Sequence, residues 1–372
     1  MKLGLDAKWF FDGPPSGRRV VRGLIGSLCR RQDDTEIHLF LDQRFSSEWR
    51  TIGLPRDRQH YIWAGNNQLS NLWNVPRVAD RLGLDVVAYQ NFAPLRANAR
   101  HARIALLHGV AFEDNPAYFT KRERLYFSTM RPLARGADRV CAVSASEKER
   151  MARLGYAAAE RIDVVPHGVD DVFTGDASSH DESARILSAL GITSPYVLYV
   201  GRLTAGKNVS SIIRAMQHVE TEPLTLVVVG ESDGTDVDLP QLARQLGAEQ
   251  RVHFTGAIYD DRLASLYSRA SVFCFPTWDE SFGLPPLEAM GCGTPCIVSD
   301  LPVLREVYGD AAVYTHPGDI LALARAIDGL LANGQQVADL CTKGRQRVAR
   351  YTWDNAADLL VDSARTAAAR RS

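Results

Sequence analysis

Two glutamates stand beside a predicted helix start, where anions and hydroxyl-rich groups can be met. Glu280 and Glu288 lie in Pro276-Thr-Trp-Asp-Glu-Ser-Phe-Gly-Leu-Pro-Pro-Leu-Glu-Ala-Met290. Pro285 and Pro286 suit the first turn of a helix, where backbone amides have no intrahelical acceptor, so the sequence predicts a helix starting near Leu284. The amides of Phe282, Gly283 and Leu284 then stand where an anion can be met. Glu280 precedes that helix in the loop, and Glu288 falls within its first turn or two. Glu288 at such a place can simply complement the helix dipole, although a capping box is excluded because position 285 is proline. Two ionised carboxylates flanking a helix start are also suited to hydroxyl-rich groups, since they accept hydrogen bonds from vicinal diols.

A second segment puts cations at a strand-to-helix turn. The apolar Tyr196-Val-Leu-Tyr-Val200 runs into Gly201-Arg-Leu-Thr-Ala-Gly-Lys-Asn208, and Val209 to Val219 reads as a helix. This is one residue short of the G-x-x-x-x-G-K-[ST] phosphate loop. Asn208 stands where that loop has the hydroxyl that holds Mg²⁺, so an NTP-hydrolysing engine is not expected. Arg202 and Lys207 at a helix amino end still suit a diphosphate, through charge-assisted hydrogen bonds and the helix dipole. Taken alone, the segment reads equally well as a solvated turn with two surface cations.

These residues need a scaffold that delivers loops to one edge. Short apolar runs of strand length alternate with helix-period segments along the chain, the pattern of β-α-β units around parallel sheets. In the first half the strands are expected at 3–7, 36–42, 60–64, 85–89, 103–107, 139–144 and 162–166, with helices at 18–31, 72–82, 121–135 and 146–154. From about Gly168 to Ser194 the chain turns polar, which marks a domain boundary. Alternation resumes at 196–200 and continues through 224–229, 251–255, 271–275, 296–299 and 311–314. Two doubly wound α/β domains follow from this, with ligands expected beyond the carboxyl ends of the strands.

Composition narrows the function classes. The 372-residue chain is 45% hydrophobic and 23% charged, enough to build two or three domains with real cores. Its 43 Lys+Arg against 44 Asp+Glu leave a net charge of −1, which lacks the basic excess that nucleic-acid phosphates require. No uninterrupted apolar run approaches the ~18 residues of a transmembrane helix. Met1 is followed at once by the strand-like Lys2-Leu-Gly-Leu-Asp-Ala7 rather than a leader, so a cytoplasmic protein is expected. Cys29, Cys141, Cys274, Cys292, Cys296 and Cys341 lie mostly in apolar stretches with no C-x-x-C pair, and are read as reduced thiols rather than metal ligands.

The segment Glu280 to Ser299, with its E-x₇-E pattern, closely resembles the donor-site motif of glycosyltransferase family 4, retaining enzymes of the two-domain GT-B fold. Val200-Gly-Arg-Leu-Thr-Ala-Gly-Lys-Asn208, Phe254-Thr-Gly-Ala-Ile258 and Val165-Pro-His-Gly-Val-Asp170 share the likeness. In the last of these, many members have Pro-Asn-Gly-Val-Asp. The resemblance covers most of the carboxyl half and, more loosely, the amino half. It implies two facing Rossmann-like domains, 1–170 for the acceptor and 195–352 for a nucleotide-sugar donor. Residues 171–194 would link them, and a helix at 353–372 would pack back on the N-terminal domain.

The resemblance also implies roles. Arg202 and Lys207 would bind the donor diphosphate and neutralise charge as the nucleotide leaves, with the amides of Phe282, Gly283 and Leu284 completing the cradle. Glu288 would hold the ribose hydroxyls and Glu280 those of the transferred hexose, while Gly230 and the Ile258 backbone would lie near the nucleotide. In the amino half, His108 matches the family's histidine near the reacting sugar, and Ser144 falls in an acceptor-side loop. Two features depart from the family's usual pattern. The loop after the first strand reads Asp12-Gly-Pro-Pro-Ser-Gly-Arg-Arg19, so Ser16 and Gly17 can still approach phosphate or acceptor but two prolines stiffen it. His108 is followed by Gly109 rather than by an acid, which leaves Glu113 or Asp114 as the nearest carboxylates.

No free nucleophile is evident near Glu280. The expected reaction is therefore front-face transfer with retention, the leaving phosphate oxygen taking the acceptor proton, with no metal required. GDP-mannose is the favoured donor and a UDP-linked hexose the next; the acceptor would be a glycan, a lipid-linked saccharide or a small molecule. Lys121 to Arg135 carries apolar and cationic residues at helical spacing, either as a helix packed on the sheet or as a peripheral contact with the inner membrane face. A nucleotide-sugar epimerase of the same fold and a catalytically silent sugar-nucleotide binder are the rival readings. A dinucleotide oxidoreductase lacks its G-x-G-x-x-G after either leading strand.

Overall fold

The computed structural model describes residues 1–95, 98–175, 180–193, 195–232, 238–258 and 260–370. Positions 176–179 and 194 of the expected linker, and 371–372 of the expected terminal helix, lie outside the described residues. The chain divides into two compact units.

The first unit comprises Met1–Val110, Lys121–Gly168 and Tyr351–Ser372. Its strands are β1 (Lys2–Asp6), β2 (Glu36–Asp42), β3 (Gln59–Ile62), β4 (Val86–Gln90), β5 (Ala102–Leu106), β6 (Arg139–Ala142) and β7 (Ile162–Val164). Among the described residues they form one sheet in the order β3-β2-β1-β4-β5-β6-β7, every pair parallel. Strands β4 and β5 are buried at every residue, as expected of a sheet covered on both faces. The helix Pro15–Arg30 buries Val20, Val21, Leu24, Ile25 and Leu28, an i, i+3, i+4 stripe turned into the unit.

The terminal helix Trp353–Ala369 belongs to this unit and packs on the helix Pro15–Arg30 and on β4, β5 and β6. Thr352 caps it by accepting from the Asn355 amide at 3.1 Å. Trp353 fills space that only glycines leave open: a Cβ at Gly23 would come within 2.1 Å of its Cε2, and one at Gly168 within 2.3 Å of its backbone nitrogen. Ser363 donates to Asp163 at 2.6 Å, and Asp163 is also paired with Arg139.

The second unit comprises Ala111–Thr120 and Val169–Arg350. Its strands β8 (Tyr196–Val200), β9 (Thr225–Val229), β10 (Val252–Gly256), β11 (Val272–Phe275), β12 (Cys296–Ser299) and β13 (Val313–Thr315) form a parallel sheet in the order β10-β9-β8-β11-β12-β13.

The described structure departs from the sequence expectation at three places. Residues 111–120 join the second unit although flanked on both sides by the first. The stretch read as a linker contributes the turn Asp171–Phe173 and the helix His180–Ala189, both packed on the helix Asp260–Arg269. The predicted helix 121–135 is broken into Lys121–Phe127 and Met130–Gly136.

Each sheet has one place where neighbouring strands are not consecutive about the first strand of the unit: β1 lies between β2 and β4, and β8 between β9 and β11. Chains leave such neighbours in opposite directions and open a crevice at the carboxyl ends, the usual ligand site of doubly wound sheets. The loops after β1, β4, β8 and β11 are therefore the ones to inspect. No helix among the described residues is long and apolar enough to cross a membrane. The six cysteines are free thiols, and burial pushes Cys141 and Cys292 up to about 12.

Candidate functional site

In the second unit, Lys207 and Glu280 meet across the switch point. Lys207 ends the turn Ala205–Lys207 after β8, and Glu280 lies in the loop after β11. Lys207 Nζ donates to Glu280 Oε2 at 2.5 Å, and the ammonium also stands 5.4 Å from the centre of the Phe275 ring. Glu280 Oε1 accepts from the Ser281 amide at 3.1 Å.

Backbone ties fix the two loops. The Trp278 amide and the Thr277 hydroxyl both donate to the Gly206 carbonyl, at 2.8 and 2.9 Å. Asn208 Nδ2 donates to the Pro276 carbonyl at 3.0 Å. Asn208 adopts the left-handed conformation with φ 54°, which asparagine tolerates better than a β-branched residue. The asparagine that departs from the phosphate-loop pattern thus has a structural role, joining the loop after β8 to the loop after β11.

The helix Leu284–Gly291 starts at the predicted residue, with Pro285 and Pro286 in its first turn. Gly283 precedes it at φ 87°, and a Cβ there would lie 2.2 Å from Tyr308 Oη, so glycine is required on both counts. Tyr308 Oη donates to the Gly283 carbonyl at 2.7 Å and holds the turn that leads into the helix. Phe282 and Leu284 are buried. Glu288 is only 1% exposed, and its Oε2 accepts from Tyr267 Oη at 2.9 Å.

Arg202 is exposed in the turn after β8, its carbonyl accepting from Tyr199 Oη at 3.0 Å. Gly230, at the end of β9, is demanded by packing. A Cβ there would fall 1.9 Å from the Gly201 carbonyl oxygen, so β9 and the phosphate-type turn approach as closely as two backbones can. Ile258 lies in the loop after β10, half-buried. Among the described residues no group of three or more His, Cys, Asp or Glu is placed to hold a metal ion.

The first unit carries its own polar cluster at the ends of β1 and β4. Lys8 Nζ donates to Asp6 Oδ1 at 2.5 Å and to Asn71 Oδ1 at 2.6 Å, and Asn71 Nδ2 donates to Asp6 Oδ2 at 2.8 Å. All three residues are buried. Desolvation outweighs the attraction of Asp6 and holds the Lys8 ammonium below its usual pKa. Gln90 continues the network, its Nε2 donating to the Asp6 carbonyl at 3.3 Å while its Oε1 meets His108 Nε2 at 2.6 Å. His108 Nδ1 in turn lies 3.3 Å from His167 Nε2.

Burial pushes His108 down to about 4 and His167 well below its ordinary value, so both rings are neutral near pH 7. One tautomer set satisfies both contacts: His108 Nε2–H donates to Gln90, and His167 Nε2–H donates to His108 Nδ1.

Five further positions singled out in the sequence have these places in the structure. Gly17 lies in the first turn of the helix Pro15–Arg30, where a Cβ would come within 2.8 Å of the Trp9 ring, while Ser16 beside it is exposed. Ser144 is the N-cap of the helix Ala145–Arg153, its Oγ accepting from the Glu147 amide at 3.0 Å. Glu113 and Asp114 lie on the short helix Ala111–Asp114, which clusters with the second unit rather than with His108.

Two family models match the chain in tandem, one described as Glycosyltransferase Family 4 over residues 18–173 and one described as Glycosyl transferases group 1 over residues 184–347. The chain belongs to glycosyltransferase family 4. This family 4 chain is 36% identical over 245 residues to a D-inositol 3-phosphate glycosyltransferase of Xylanimonas cellulosilytica, covering 63% of this chain and 58% of that protein. It is 29% identical over 234 residues to the O-antigen chain mannosyltransferase RfbU of Salmonella typhimurium, covering 63% of this chain and 61% of that one. The match thus spans somewhat over half the length of these curated relatives.

In structure it resembles HepE of Anabaena, solved in complex with UDP-glucose, with a TM-score of 0.73 at 20% identity over 97% of this chain and 98% of that one. It also resembles WaaG, a glycosyltransferase involved in lipopolysaccharide biosynthesis, with a TM-score of 0.71 at 15% identity over 97% of this chain and 99% of that one. The fold of this family 4 chain is α/β GT-B.

Sequence reasoning on this family 4 chain did not single out Lys8, Asp6, Asn71 or Gln90, and met His167 only as the histidine of Val165–Asp170 where many members have asparagine. A local signal existed for the first two: Asp6-Ala7-Lys8 sits at the carboxyl end of β1, beside the switch point, where polar residues have reason to converge. Asn71 and Gln90 reach the cluster only through the fold, from positions distant in sequence.

Proposed function

We propose that this chain is a metal-independent, retaining hexosyltransferase that moves a hexose from a nucleotide diphosphate sugar to an acceptor hydroxyl. The observation that carries the reading is the Lys207–Glu280 pair, placed across the switch point of the second sheet and just before the helix that starts at Leu284. In this reading a cation meant for phosphate and a carboxylate meant for sugar hydroxyls are already side by side. Arg202 and Lys207 bind the diphosphate, and the amides of Phe282, Gly283 and Leu284 receive its oxygens at the helix start. Glu280 accepts hydrogen bonds from the hexose and Glu288 from the ribose. The Ile258 backbone lies beside the nucleotide and Gly230 shapes the same wall; for Ser16, Gly17 and His108 of the first unit, roles toward donor or acceptor rest on the family resemblance alone.

The reaction forms a bond between the acceptor oxygen and the anomeric carbon while the bond from that carbon to the phosphate oxygen breaks on the same face. The acceptor proton passes to the departing phosphate. Arg202, Lys207 and the helix start stabilise the charge that accumulates there, which is the main catalytic contribution this chain can make. No protein nucleophile and no divalent ion takes part.

GDP-mannose is the first-choice donor, a reading favoured by relatives named as O-antigen mannosyltransferases. A UDP-linked hexose is the second, favoured by the neighbour solved with UDP-glucose. The acceptor is a glycan, a lipid-linked saccharide or a small hydroxyl compound, met on the cytoplasmic side.

The test is a transfer assay in EDTA with GDP-mannose or UDP-glucose and a mixed glycan acceptor pool, reading nucleotide release and the anomeric configuration of the product by NMR. Transfer with retention from one of the two donors is expected. Inverted product, or turnover only after a divalent ion is restored, would overturn the reading.

A further inference from the structure

Residues 111–120 leave the first half of the chain to join the second unit, and they meet the loops around Asp279 and Gly206. Asn115 Nδ2 donates to Asp279 Oδ2 at 2.7 Å. Tyr118 lies flat enough against Gly206 that a Cβ there would meet its Cδ2 at 3.2 Å and its Cγ at 3.3 Å. The Tyr118 phenol is held above its usual pKa by burial and then by the Asp279 carboxylate, which places that carboxylate near both residues. Asp279 immediately precedes Glu280, and Gly206 immediately precedes Lys207.

The ten residues therefore touch the neighbours of both members of the ion pair. We propose that Ala111–Thr120 is a positioning strap for the donor loops, with Asn115 setting the Glu280 loop and Tyr118 setting the Lys207 turn. This deepens the transferase reading and rests on it for its functional consequence.

The local structure of the strap suits that role. The short helix Ala111–Asp114 and the turn Pro116–Tyr118 are joined at Asn115, whose amide is held by the Ala111 carbonyl at 2.8 Å and whose own carbonyl holds the Tyr118 amide at 3.1 Å. Asn115 and Tyr118 are thus presented as one rigid unit. Asparagine suits its place because its amide can donate to a carboxylate without adding charge, whereas an acid there would oppose Asp279. The chain enters this segment from β5 through His108, three residues before Ala111 along the backbone. A shift of the strap moves Lys207 and Glu280 without touching the nucleotide itself.

The test compares the full chain with Asn115→Asp, Asn115→Ala, Tyr118→Ala and Tyr118→Phe. Amide hydrogen exchange over residues 204–208 and 277–282 is read first, then binding of GDP and UDP by calorimetry. Exchange is expected to quicken in both loops for Tyr118→Ala and to return to the wild-type rate in Tyr118→Phe. In Asn115→Asp, nucleotide affinity is expected to fall at least tenfold at pH 7.5 and to recover near pH 5.5, as the new carboxyl and Asp279 come to share a proton. Asn115→Ala shows the same loss without the recovery.

Wild-type exchange in both loops of Tyr118→Ala, or an Asn115→Asp affinity equal to wild type at pH 7.5, would overturn the strap. Failure of the wild type itself to bind either nucleotide would overturn the transferase reading instead, and the exchange data would still decide the strap.

Discussion

Lys207 Nζ and Glu280 Oε2 are 2.5 Å apart, so the loop after β8 and the loop after β11 are joined by a half-buried ion pair at the switch point of the second sheet. In the proposed transferase reading, a donor phosphate that engages Lys207 would compete with Glu280 for the ammonium and free Glu280 for hydroxyl groups, so the pair would be a resting arrangement that substrate rearranges.

Removing the cations should therefore cost rate far more than fold. Lys207→Ala and Arg202→Ala are each expected to lower kcat by ~10²-fold or more, the scale of losing a donor aimed at developing charge, while the melting temperature changes little. Steady-state kinetics with the preferred donor check this, and normal turnover in both variants would sink the assignment.

Glu288 should behave differently, because its carboxylate is buried against Tyr267. Glu288→Gln keeps an oxygen for the Tyr267 hydroxyl and is expected to fold normally while raising the donor KM about tenfold, about one lost hydrogen bond to a charged group. Glu288→Leu leaves that hydroxyl without its acceptor and should lose ~1–3 kcal/mol in urea unfolding. Equal stability in both variants would argue that Tyr267 does not depend on Glu288.

Gly230→Ala tests the backbone approach of β9 to the turn after β8. With a Cβ only 1.9 Å from the Gly201 carbonyl, one of the two backbones must move, at a cost of ~1–3 kcal/mol and with loss of donor binding. A variant of wild-type stability and affinity would show that the two backbones have room for a methyl group between them.

The paired histidines make a pH prediction with a definite sign. His108 and His167 are neutral in the folded chain because burial lowers both, whereas an unfolded histidine takes up a proton near pH 6.5. Their contribution is complete above that pH. Below it the unfolded state binds more protons, so stability declines as the pH falls toward 4, by up to ~1.4 kcal/mol per pH unit for each ring. Urea melts of the wild type and of His108→Gln/His167→Asn from pH 7.5 to 5 check it: the double variant should show the flatter profile.

Lys8→Met should be among the most damaging substitutions in the first unit. It leaves Asp6 buried without its ammonium, a loss of ~3–5 kcal/mol, and Asp6→Asn added to it should restore part of that stability. Denaturant unfolding of the two variants separates the ion pair from simple packing.

Much of this was legible because it is local. The helix start at Leu284 follows from two prolines, and the strand before Gly201 follows from five apolar residues in a row. The parallel sheets follow from alternation, and the E-x₇-E spacing carried the family. What stayed hidden was what tertiary packing decides. Asn208 read as a failed metal ligand, yet its side chain ties two loops together. Ser144 read as part of an acceptor-side loop, and its capping of the helix Ala145–Arg153 was not foreseen. Residues 111–120 carry no composition shift to announce that they leave one unit for the other, and the position of Lys8 at the end of β1 hints at a polar cluster without naming its partner Asn71. Their partners Asp279, Gly206 and Asn71 are brought to them only by the fold.

Donor binding at Lys207 is tested most directly by calorimetric titration of GDP and of UDP into the wild-type chain and into Lys207→Ala, in EDTA. One of the two nucleotides is expected to bind the wild type without metal and to bind Lys207→Ala at least tenfold more weakly. Equal affinity in the two proteins, or no binding of either nucleotide to the wild type, would contradict the transferase assignment of this site.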